Sequence, residues 1–478
     1  MDSLWTSGVS LPTFPSLEGE LEADAAVIGG GITGILTAYF LQKRGVRTVL
    51  LEADRLVCGQ TGGTTAKITS QHGLIYSRLR DNFGRDVMQA YAAANEGAIR
   101  AYEALVRDEG IDCDFEERPA LLYTAGNPEI LEREAKFAAA CGIRADFFTE
   151  CELPFPVRGV LRYGNQASFH PLKFLRALSR KLKICENTRV LTAEDGELTT
   201  TRGRVRADHV VFACHYPFVN VPGWYFARMH QSRSYVLALE NAPALQGMYY
   251  GIDPDGYSLR PAGKYLLLSG ESHRTGENSE GGMYAALREA ASRLFPGSKA
   301  VLQWSAQDCM TPDGIPYIGR YAASTPDWYV ATGFGKWGMT GAMAAAQLIS
   351  DLIVTGSSPF AALYDPGRFK FSVSAEAVAR DLAHAVKDLA KSVLRLPRET
   401  LDALPMGHGG VIRFEGQKIG VFRDEAGGIH AVGVRCPHMG CELAWNPEEK
   451  SWDCPCHGSR FDMDGRWLNG PAQTDAEH

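Results

Sequence analysis

Six potential metal ligands lie close together in the segment CPHMGCELAWNPEEKSWDCPCH. The chain has 11 cysteines and 12 histidines, and this segment contains four of the cysteines and two of the histidines. The six residues are Cys436, His438, Cys441, Cys454, Cys456 and His457. A structural zinc site needs four ligands, and so does a two-iron cluster. The segment therefore predicts a metal centre with two residues to spare.

The spacing of these residues favours an iron–sulfur cluster over zinc. A C-x-H motif is followed, after fifteen residues, by C-x-x-H, so each of two loops offers one thiolate and one imidazole. A Rieske centre needs this set, because two thiolates bind one iron and two imidazoles bind the other. Zinc would take four of the six groups and leave the second cysteine pair and Ser459 without a role.

A mononuclear-iron oxygenase also carries a Rieske domain, but it needs two histidines and a carboxylate for a further iron. The nearest candidate is Asp381-x-x-His384, and Leu389 stands where the second histidine would be expected. The sequence therefore excludes the oxygenase interpretation.

Residues 405–472 resemble the Rieske domains of respiratory-chain iron–sulfur proteins and their soluble relatives. The motifs CPHMGC and CPCHGS and the later GPA loop carry this resemblance. The cluster ligands that it implies are Cys436, His438, Cys454 and His457. It also implies that Cys441 and Cys456 could form a disulfide between the two loops. Ser459 would donate to a bridging sulfide, whereas Phe461 replaces a tyrosine donor, so we expect an intermediate reduction potential.

A glycine-rich turn predicts a dinucleotide site. In DAAVIGGGITGILTAYFLQKRGVRTVLLE, an apolar strand runs into GGGITG, a helical pattern follows, and a second strand, Thr48–Leu51, ends at Glu52. Gly29 makes the tight turn, Gly31 lets the backbone approach a pyrophosphate, and Gly34 lets the helix pack on the strand. Glu52 can bind a ribose and would repel a 2′-phosphate, which favours FAD or NAD over NADP.

Four motifs in one order resemble the D-amino-acid-oxidase-type flavoproteins, which bind FAD and oxidise amines. They are GGGITG, CGQTGGTTAK (58–67), VVFAC and DGIPYIG…GFGKWGMTG, and the resemblance covers about residues 20–355. The chain shows one glycine fingerprint of this kind, which fits FAD alone better than FAD with a nicotinamide cofactor. The resemblance implies a discontinuous FAD domain that is covered by a second domain with an antiparallel sheet.

The same resemblance implies which residues surround the FAD. Those of the pyrophosphate and ribityl loop are Thr61, Thr64, Thr65 and Lys67. Arg189 and Val190 would flank the adenine. The turn 333–340 would direct a helix N-terminus at the negative charge of a reduced flavin. The residues assigned to this turn are Gly333, Gly335, Gly338, Met339 and Thr340.

Catalytic or substrate contacts are predicted at Asp308, Arg260 and Lys336. In glycine-oxidase-like members, an arginine five residues before the aspartate of the DG.PYIG motif binds the substrate carboxylate, and here that position is Asp308. A carboxylate would suit a cationic amine instead, and the alternative is that it pairs with an arginine of the protein. Arg260 is a pocket candidate or a structural salt bridge. Lys336 precedes the flavin-facing helix and can touch the flavin or a substrate carboxylate.

Composition restricts the class of protein. The 478 residues are 45% hydrophobic and 22% charged, with a net charge of −7 and no block of basic residues, which argues against nucleic acid as a partner. The most apolar long run, WYVATGFGKWGMTGAMAAAQLISDLIVTG, is broken by Lys336, Asp351 and several glycines. It predicts a strand, a turn and a buried helix, and no transmembrane segment. The first residues do not resemble a secretory signal, so we expect a cytoplasmic protein.

Together these elements predict an α/β Rossmann-like FAD-binding domain with an interleaved α+β substrate domain, followed by a small all-β Rieske domain. We assign residues 20–84, 161–227 and 306–356 to the FAD domain, 85–160 and 228–305 to the substrate domain, 357–404 to a helical linker and 405–478 to the Rieske domain. Within the linker, residues 374–396 have the pattern of an amphipathic helix.

A flavin accepts two electrons and a Rieske cluster carries one, so the fusion predicts a two-to-one electron splitter. The preferred function is an FAD-dependent oxidoreductase. It would oxidise a small amine or amino-acid derivative by hydride transfer and relay single electrons through the cluster to an external acceptor. Two alternatives stay open: a reductase component that passes electrons from a ferredoxin or NAD(P)H to a partner enzyme, and a redox sensor.

Overall fold

The structure is a computed structural model that describes residues 3–368, 401 and 404–477. Its strands are β1 Gly19–Ile28, β2 Thr48–Leu51, β3 Lys67–Ile68, β4 Glu116–Glu117, β5 Ala120–Thr124, β6 Ala145–Phe148, β7 Gly159–Tyr163, β8 Ala167–Ser168, β9 Lys183–Cys185, β10 Val190–Glu194, β11 Glu197–Thr200, β12 Gly203–Phe212, β13 His230–Glu240, β14 Met248–Gly251, β15 Ser258–Ala262, β16 Tyr265–Arg274, β17 Lys299–Met310, β18 Tyr317–Ala322, β19 Thr325–Thr332, β20 Gly409–Phe414, β21 Gln417–Arg423, β22 Ile429–Gly433, β23 Ala444–Asn446, β24 Ser451–Asp453, β25 Arg460–Phe461 and β26 Trp467–Asn469. Its helices are α1 Ile32–Lys43, α2 Ile75–Phe83, α3 Arg85–Asp108, α4 Glu129–Ala140, α5 Pro171–Ser179, α6 Met283–Leu294, α7 Gly338–Thr355 and α8 Ala361–Tyr364. The predicted helix 374–396, with Asp381 and His384, lies outside the described residues.

The first sheet is built around parallel strands. Strand β1 pairs in parallel with β2 and β12, while β2 pairs with β9 and β12 with β19 in the same sense. Helix α1 crosses from β1 to β2 and packs against α7, so it is buried on most of its surface. Among the described residues, α7 is the one helix long and apolar enough to cross a membrane, and 67% of it is buried inside the protein. A helix that is apolar all round and covered by its neighbours is a core helix.

The second sheet has eight strands in the order β17-β13-β16-β15-β14-β5-β7-β6. Its strands come from two stretches of the chain, on either side of β9–β12, as the interleaved arrangement predicts. Strand β7 runs to Tyr163 and β17 to Met310. The sheet therefore extends a few residues past the predicted boundaries at 160 and 305, because both strands continue pairing across them.

The C-terminal domain consists of two small antiparallel sheets, β20-β21-β22 and β23-β24-β25-β26. Phe422, Trp452 and Phe461 are buried in its core. The loop between β22 and β23 and the loop between β24 and β25 carry the six cysteines and histidines of the predicted metal centre. This all-β domain therefore positions the centre at the meeting point of two loops.

Candidate cofactor and substrate sites

The two loops of the all-β domain have the same backbone turn. In the first, the Cys436 N–H donates to the carbonyl of Cys441 at 2.9 Å, and the Gly440 N–H donates back to the Cys436 carbonyl at 2.9 Å. In the second, Cys454 donates to the carbonyl of Ser459 at 2.8 Å, and Gly458 donates to Cys454 at 2.9 Å. Both glycines have positive φ, 76° and 80°. Residues with a Cβ adopt this backbone conformation only with steric strain. The repeated turn presents one cysteine and one histidine from each loop.

The side chains of the four predicted ligands converge. The Cys436 and Cys454 thiols are within hydrogen-bonding distance of each other, and the ring centroids of His438 and His457 are 4.9 Å apart. Among the described residues, the Nδ1 atoms of both histidines are buried and have no hydrogen-bond partner. Buried polar atoms are normally paired. Two thiols and two unpaired imidazole nitrogens are the donor set that a Rieske cluster takes up.

The electrostatics of the site also suit metal binding. The hydrogen bond from Cys454, together with the backbone N–H groups of His438 and Met439 and the Ser459 hydroxyl, lowers the pKa of Cys436 to about 7 despite its burial. Burial lowers the pKa of His438 to about 4 and that of His457 to about 3. Metal ligands must be deprotonated, and this environment favours a thiolate at one loop and neutral imidazoles at both.

The second cysteine pair forms a disulfide between the loops, Cys441–Cys456. The sulfur atoms of Cys441, Cys454 and Cys456 lie within 4.8 Å of one another. That proximity follows from the disulfide and does not describe a zinc site, since disulfide sulfurs cannot act as thiolate ligands. The surplus of two residues in the sequence is thereby accounted for.

At the glycine-rich turn, the backbone leaves no room for a side chain at Gly29 or Gly34. A Cβ at Gly34 would lie 1.9 Å from the Gly29 carbonyl oxygen, and one at Gly29, which has φ of 113°, would lie 2.6 Å from that of Ala213. The Cβ of a side chain at Gly31 would meet only the Thr61 hydroxyl, at 3.2 Å. The space in front of Gly31 faces the start of α1, whose first turn holds no acidic residue, and a helix N-terminus of this kind binds phosphate.

Glu52 and Thr61 are fixed at this turn. The Glu52 carboxylate accepts hydrogen bonds from the backbone N–H groups of Gly30 (2.6 Å) and Asp54 (2.9 Å), while burial raises its pKa. The Thr61 hydroxyl accepts from the Ile32 N–H at 3.1 Å. Both residues thus border the space where the predicted pyrophosphate and ribose would lie.

The rest of the predicted loop runs toward the second sheet. The Thr64 carbonyl accepts from the Trp5 indole at 2.5 Å, and Thr65 is half-buried. The Lys67 ammonium group donates to the Tyr249 carbonyl at 2.8 Å and to the Ser258 hydroxyl at 2.6 Å, and burial lowers its pKa to about 7. The Lys67 side chain is therefore engaged by the second sheet, and the predicted contact of this loop with FAD stays a prediction.

The predicted adenine edge lies beside the C-terminal segment. Val190 is buried at the start of β10. The Arg189 guanidinium stacks 4.0 Å above the Trp467 ring centroid and donates to the Gln473 carbonyl at 3.0 Å. The all-β domain therefore reaches the nucleotide end of the first sheet.

The glycine turn before α7 is fixed at both ends. Gly333 and Gly335 have positive φ, 73° and 53°, and α7 begins at Gly338. The Met339 carbonyl accepts from the Tyr102 hydroxyl at 2.8 Å. The Thr340 hydroxyl donates to the Thr69 carbonyl and accepts from its N–H, both at 2.9 Å. This end of α7 is held against the strand that follows the pyrophosphate loop.

An open cavity of about 620 Å³ lies between this turn and α2. Its lining includes His72, Arg78, Tyr250, Met310, Lys336 and Trp337. The His72 ring stacks on Trp337 at 4.8 Å and bonds Tyr91 and Thr69 through its two nitrogens. Burial lowers the pKa of His72 to about 3, so its imidazole is an uncharged part of the cavity lining.

Arg78 also lines the cavity, and the sequence gives no sign of this, because nothing in the pattern of α2 marks it. Within the described ranges, the Arg78 guanidinium has no ion pair or hydrogen bond.

The three predicted substrate contacts have different positions. Lys336 lines the cavity, and its ammonium group donates to the Ser234 hydroxyl at 3.0 Å and to Ser272 at 2.5 Å. Burial raises the pKa of Asp308 to about 6, and the charge of Lys336 opposes the shift. Asp308 in turn raises the pKa of Tyr250 through its charge, second to burial. Its charge thus acts on two residues of the lining, although Asp308 is not itself one of the lining residues.

Arg260 does not line this cavity. It is buried, stacks 4.8 Å from the Trp5 ring centroid and donates to the Phe169 carbonyl at 2.9 Å. Arg260 was predicted either as a pocket residue or as part of a structural salt bridge, and the structure places it outside this cavity. Alternation along the strand Ser258–Ala262 gives no information about which neighbouring element covers each face, and here the N-terminal segment covers Arg260.

Strand β17 contributes residues both to the cavity and to the contact with the all-β domain. Side chains of a strand alternate between its two faces. On one face, Trp304 donates to the Gly63 carbonyl at 2.8 Å, and Met310 lines the cavity. On the other face, the Gln307 amide donates to the Gly458 carbonyl of the second cluster loop, also at 2.8 Å. One strand thus borders both sites.

A buried ion network fastens the all-β domain to this sheet. Glu449 pairs with Arg233 of β13 and with Arg460 of β25, and Arg460 also pairs with Asp453 at 2.8 Å. The side chains of Arg233 and Glu449 are 2% and 1% exposed. The network could not be predicted from the sequence, because charged residues this far apart along the chain carry no local signal of their pairing.

Comparison with known proteins agrees with both halves of this arrangement. Residues 24–352 match the family of FAD dependent oxidoreductases, and residues 399–477 match the Rieske [2Fe-2S] domain. The chain belongs to the FAD dependent oxidoreductase family. It is similar over 98% of its length, at 38% identity, to the putative Rieske 2Fe-2S iron-sulfur protein YhfW of Bacillus subtilis (strain 168), of which it covers 96%.

Solved structures share the fold of the first two domains. L-proline dehydrogenase from P. horikoshii matches 74% of this chain and 98% of its own, with a TM-score of 0.62 and 19% identity. Glycine oxidase from Geobacillus kaustophilus matches 73% and 100%, with a TM-score of 0.62 and 20% identity. These likenesses, with the two family matches, confirm the resemblances and the fold class deduced from the sequence.

The protein is therefore an FAD-dependent oxidoreductase with a Rieske domain, and its cofactors are FAD and a [2Fe–2S] cluster. The two unpaired Nδ1 atoms and the two adjacent thiols fit the cluster. The side-chain-free space before Gly31 and the unfilled first turn of α1 fit the FAD pyrophosphate.

Proposed function

We propose that the protein oxidises an amine or amino-acid derivative in the cavity between α2 and the 333–340 turn, and that the electrons leave singly through the Rieske cluster to an external acceptor. The observation that carries the proposal is the position of β17, with the cavity residue Met310 on one face and the cluster-loop contact Gln307 on the other. The two sites would then share β17 as a common wall.

The proposed reaction removes a hydride from the α-carbon of the amine and a proton from its nitrogen, which leaves an imine. Bound FAD supplies the two-electron acceptor, and the cluster supplies a one-electron carrier, so two equivalents of a one-electron acceptor restore the oxidised protein. The Asp308 carboxylate would hold the substrate ammonium group before it loses its proton. Lys336 and Arg78 would attract a carboxylate or other acidic group on the same substrate.

The metal and FAD ligands follow the same proposal. Cys436, Cys454 and the Nδ1 atoms of His438 and His457 would hold the cluster. The glycine turn, Glu52, and the loop from Thr61 would hold the FAD. The seven cysteines outside the cluster segment are free thiols in the structure, which is in keeping with a reaction in the cytoplasm, where thiols stay reduced.

Replacing Asp308 by asparagine is expected to weaken reduction of the flavin by a cationic amine about 10- to 100-fold, as follows from losing a charged hydrogen bond of ~1.5–3 kcal/mol. The FAD content should not change, because Asp308 does not border the glycine turn. The measurement is anaerobic stopped-flow bleaching of the flavin against amine concentration. Asp255→Asn, at an exposed position, is the control. Equal saturation curves for Asp308→Asn and the parent would remove Asp308 from the site.

The same carboxylate predicts a pH dependence. Because burial raises the pKa of Asp308 to about 6, the group is ionised above that pH and protonated below it. Reduction by an aliphatic amine donor, which stays protonated in solution across this pH range, should therefore slow as the pH falls through about 6 in the parent. The Asp308→Asn variant should show no such step, and a step of the same size in both proteins would assign it to another group.

The direct test of the proposed function is anaerobic mixing with a panel of primary and secondary amines, amino acids, NADH and NADPH. Bleaching of the flavin by an amine and not by a nicotinamide supports the proposal. Bleaching by NADH, NADPH or a reduced ferredoxin alone would instead make the protein a reductase component.

A further inference from the structure

The imidazole side of the cluster site is closed by the FAD-binding part of the chain. The His438 Nε2 atom lies 2.8 Å from the Oδ1 atom of Asn220. The Phe226 ring meets the imidazoles of His438 and His457 edge-on, with centroid distances of 6.5 and 5.8 Å. Both residues belong to the segment between β12 and β13, more than 200 residues before the cluster loops.

The second cluster loop is held from the same side. The Gln231 amide donates to the carbonyls of His457 (2.6 Å) and Gly470 (3.2 Å). Gln307 donates to the Gly458 carbonyl and also to the Gln231 Oε1 atom, at 2.6 Å. A Cβ at Gly458 would lie 2.8 Å from Gln231, so this contact is close-packed. Two glutamine side chains therefore fix the backbone beside a predicted ligand.

The proton position on His438 follows from its surroundings. Its Nδ1 atom is buried and has no partner among the described residues, which leaves Nδ1 for the metal. A neutral imidazole that ligates through Nδ1 carries its hydrogen on Nε2. The Nε2–H group then donates to the Asn220 amide oxygen. In metal sites, a carbonyl or carboxylate that accepts from a ligating histidine fixes its ring and raises its basicity.

We propose that Asn220 is a positioning residue for the cluster ligand His438, so that the FAD-binding part of the chain completes the cluster site and tunes its reduction potential. This role of Asn220 holds whichever way the electrons flow and whatever the substrate is. A more basic ligand stabilises the oxidised cluster, so the Asn220 contact lowers the potential.

The test is a redox titration of the holoprotein, followed by the EPR signal of the reduced cluster. Asn220→Ala should raise the midpoint potential, because the acceptor is lost. Asn220→Asp should lower it, because a carboxylate is a stronger acceptor than an amide. Pulsed EPR of the ligand nitrogens should show altered coupling for one histidine in both variants. Asn127→Ala, at an exposed site in the substrate domain, should match the parent in both measurements.

Iron and FAD contents are measured alongside the potentials, so that a change in cluster loading is seen separately. Opposite shifts in the two Asn220 variants, with altered coupling of one nitrogen, support the proposal. If Asn220→Ala loses its iron, the midpoint potential and nitrogen coupling of Asn220→Asp test the proposal by themselves, because that variant retains an acceptor oxygen. A parental potential and parental nitrogen coupling in Asn220→Asp would overturn the proposal, and so would shifts of the same sign in the two variants.

Discussion

Replacing Glu449 by alanine is expected to cost about 3–5 kcal/mol of stability, because it leaves buried cations without their counter-ion. Glu449 lies between the guanidinium groups of Arg233 and Arg460 and also accepts from the Ser305 hydroxyl. Arg460 would keep Asp453 as an ion-pair partner. The hydrogen bonds that Arg233 would keep among the described residues go to the neutral side chains of Gln307 and Ser305. The loss should therefore fall on the contact between β13 and the Rieske domain.

Urea unfolding of the holoprotein, followed by the visible absorption of the cluster and separately by the flavin, measures this effect. The cluster transition should move to lower urea by more than the flavin transition. Glu289→Ala, on the exposed face of α6, is the matched control and should stay within about 0.5 kcal/mol of the parent. If Glu449→Ala behaved like this control, the buried network would not fasten the two domains.

Replacing Cys454 by serine is expected to abolish the cluster and leave the FAD in place. The Cys454 thiol lies in the second loop within hydrogen-bonding distance of the Cys436 thiol. A serine hydroxyl is far harder to deprotonate than a thiol, and iron–sulfur clusters are held by thiolates. Iron, acid-labile sulfide and the reduced-cluster EPR signal should fall to background, while the flavin per chain stays at the parental value.

The exposed cysteine Cys58 supplies the control for this change. Cys58→Ser should retain both cofactors, because it contributes no ligand in either loop. Retention of a Rieske EPR signal by Cys454→Ser would contradict the ligand set. Release of FAD together with the iron would contradict the separation of the two cofactor sites.

The parts of this protein that could be predicted from sequence are those whose signals are local. The unit from β1 through α1 to β2 follows from an apolar strand, three glycines and an acidic residue within about thirty positions. The cluster loops follow from ligand spacing, since C-x-H and C-x-x-H offer one thiolate and one imidazole from each loop, which is the set that a Rieske centre needs. In both cases the chemistry is fixed by residues that are neighbours in the chain.

The contacts between domains could not be predicted. Gln231, Gln307 and Asn220 are common polar residues, and their partners lie about 150 to 240 positions away. Alternation along β13 and β17 predicts two faces, but not which domain covers each of them. Arg260 could not be placed for the same reason. Its position in strand β15 is compatible with a pocket, but the N-terminal segment buries it at Trp5.

Strand β17 connects these contacts between domains with the cavity. Residues of one strand reach the 58–67 loop at Gly63, line the cavity at Met310 and reach the cluster loop at Gly458. A substitution in β17 can therefore affect substrate oxidation and cluster properties separately, according to which face carries it. Asp308 and Gln307 are adjacent residues that should differ in this way.

The central claim is that electrons pass from a substrate in the cavity to the cluster of the same chain. Its most direct test is rapid mixing of the oxidised holoprotein, without oxygen, with the amine that bleaches the flavin, followed by freeze-quench EPR at several protein concentrations. The account predicts that the flavin bleaches first and that the reduced-cluster signal then rises at a rate independent of protein concentration. A cluster that stays oxidised while the flavin is fully reduced, or one that is reduced only through collisions between molecules, would contradict it.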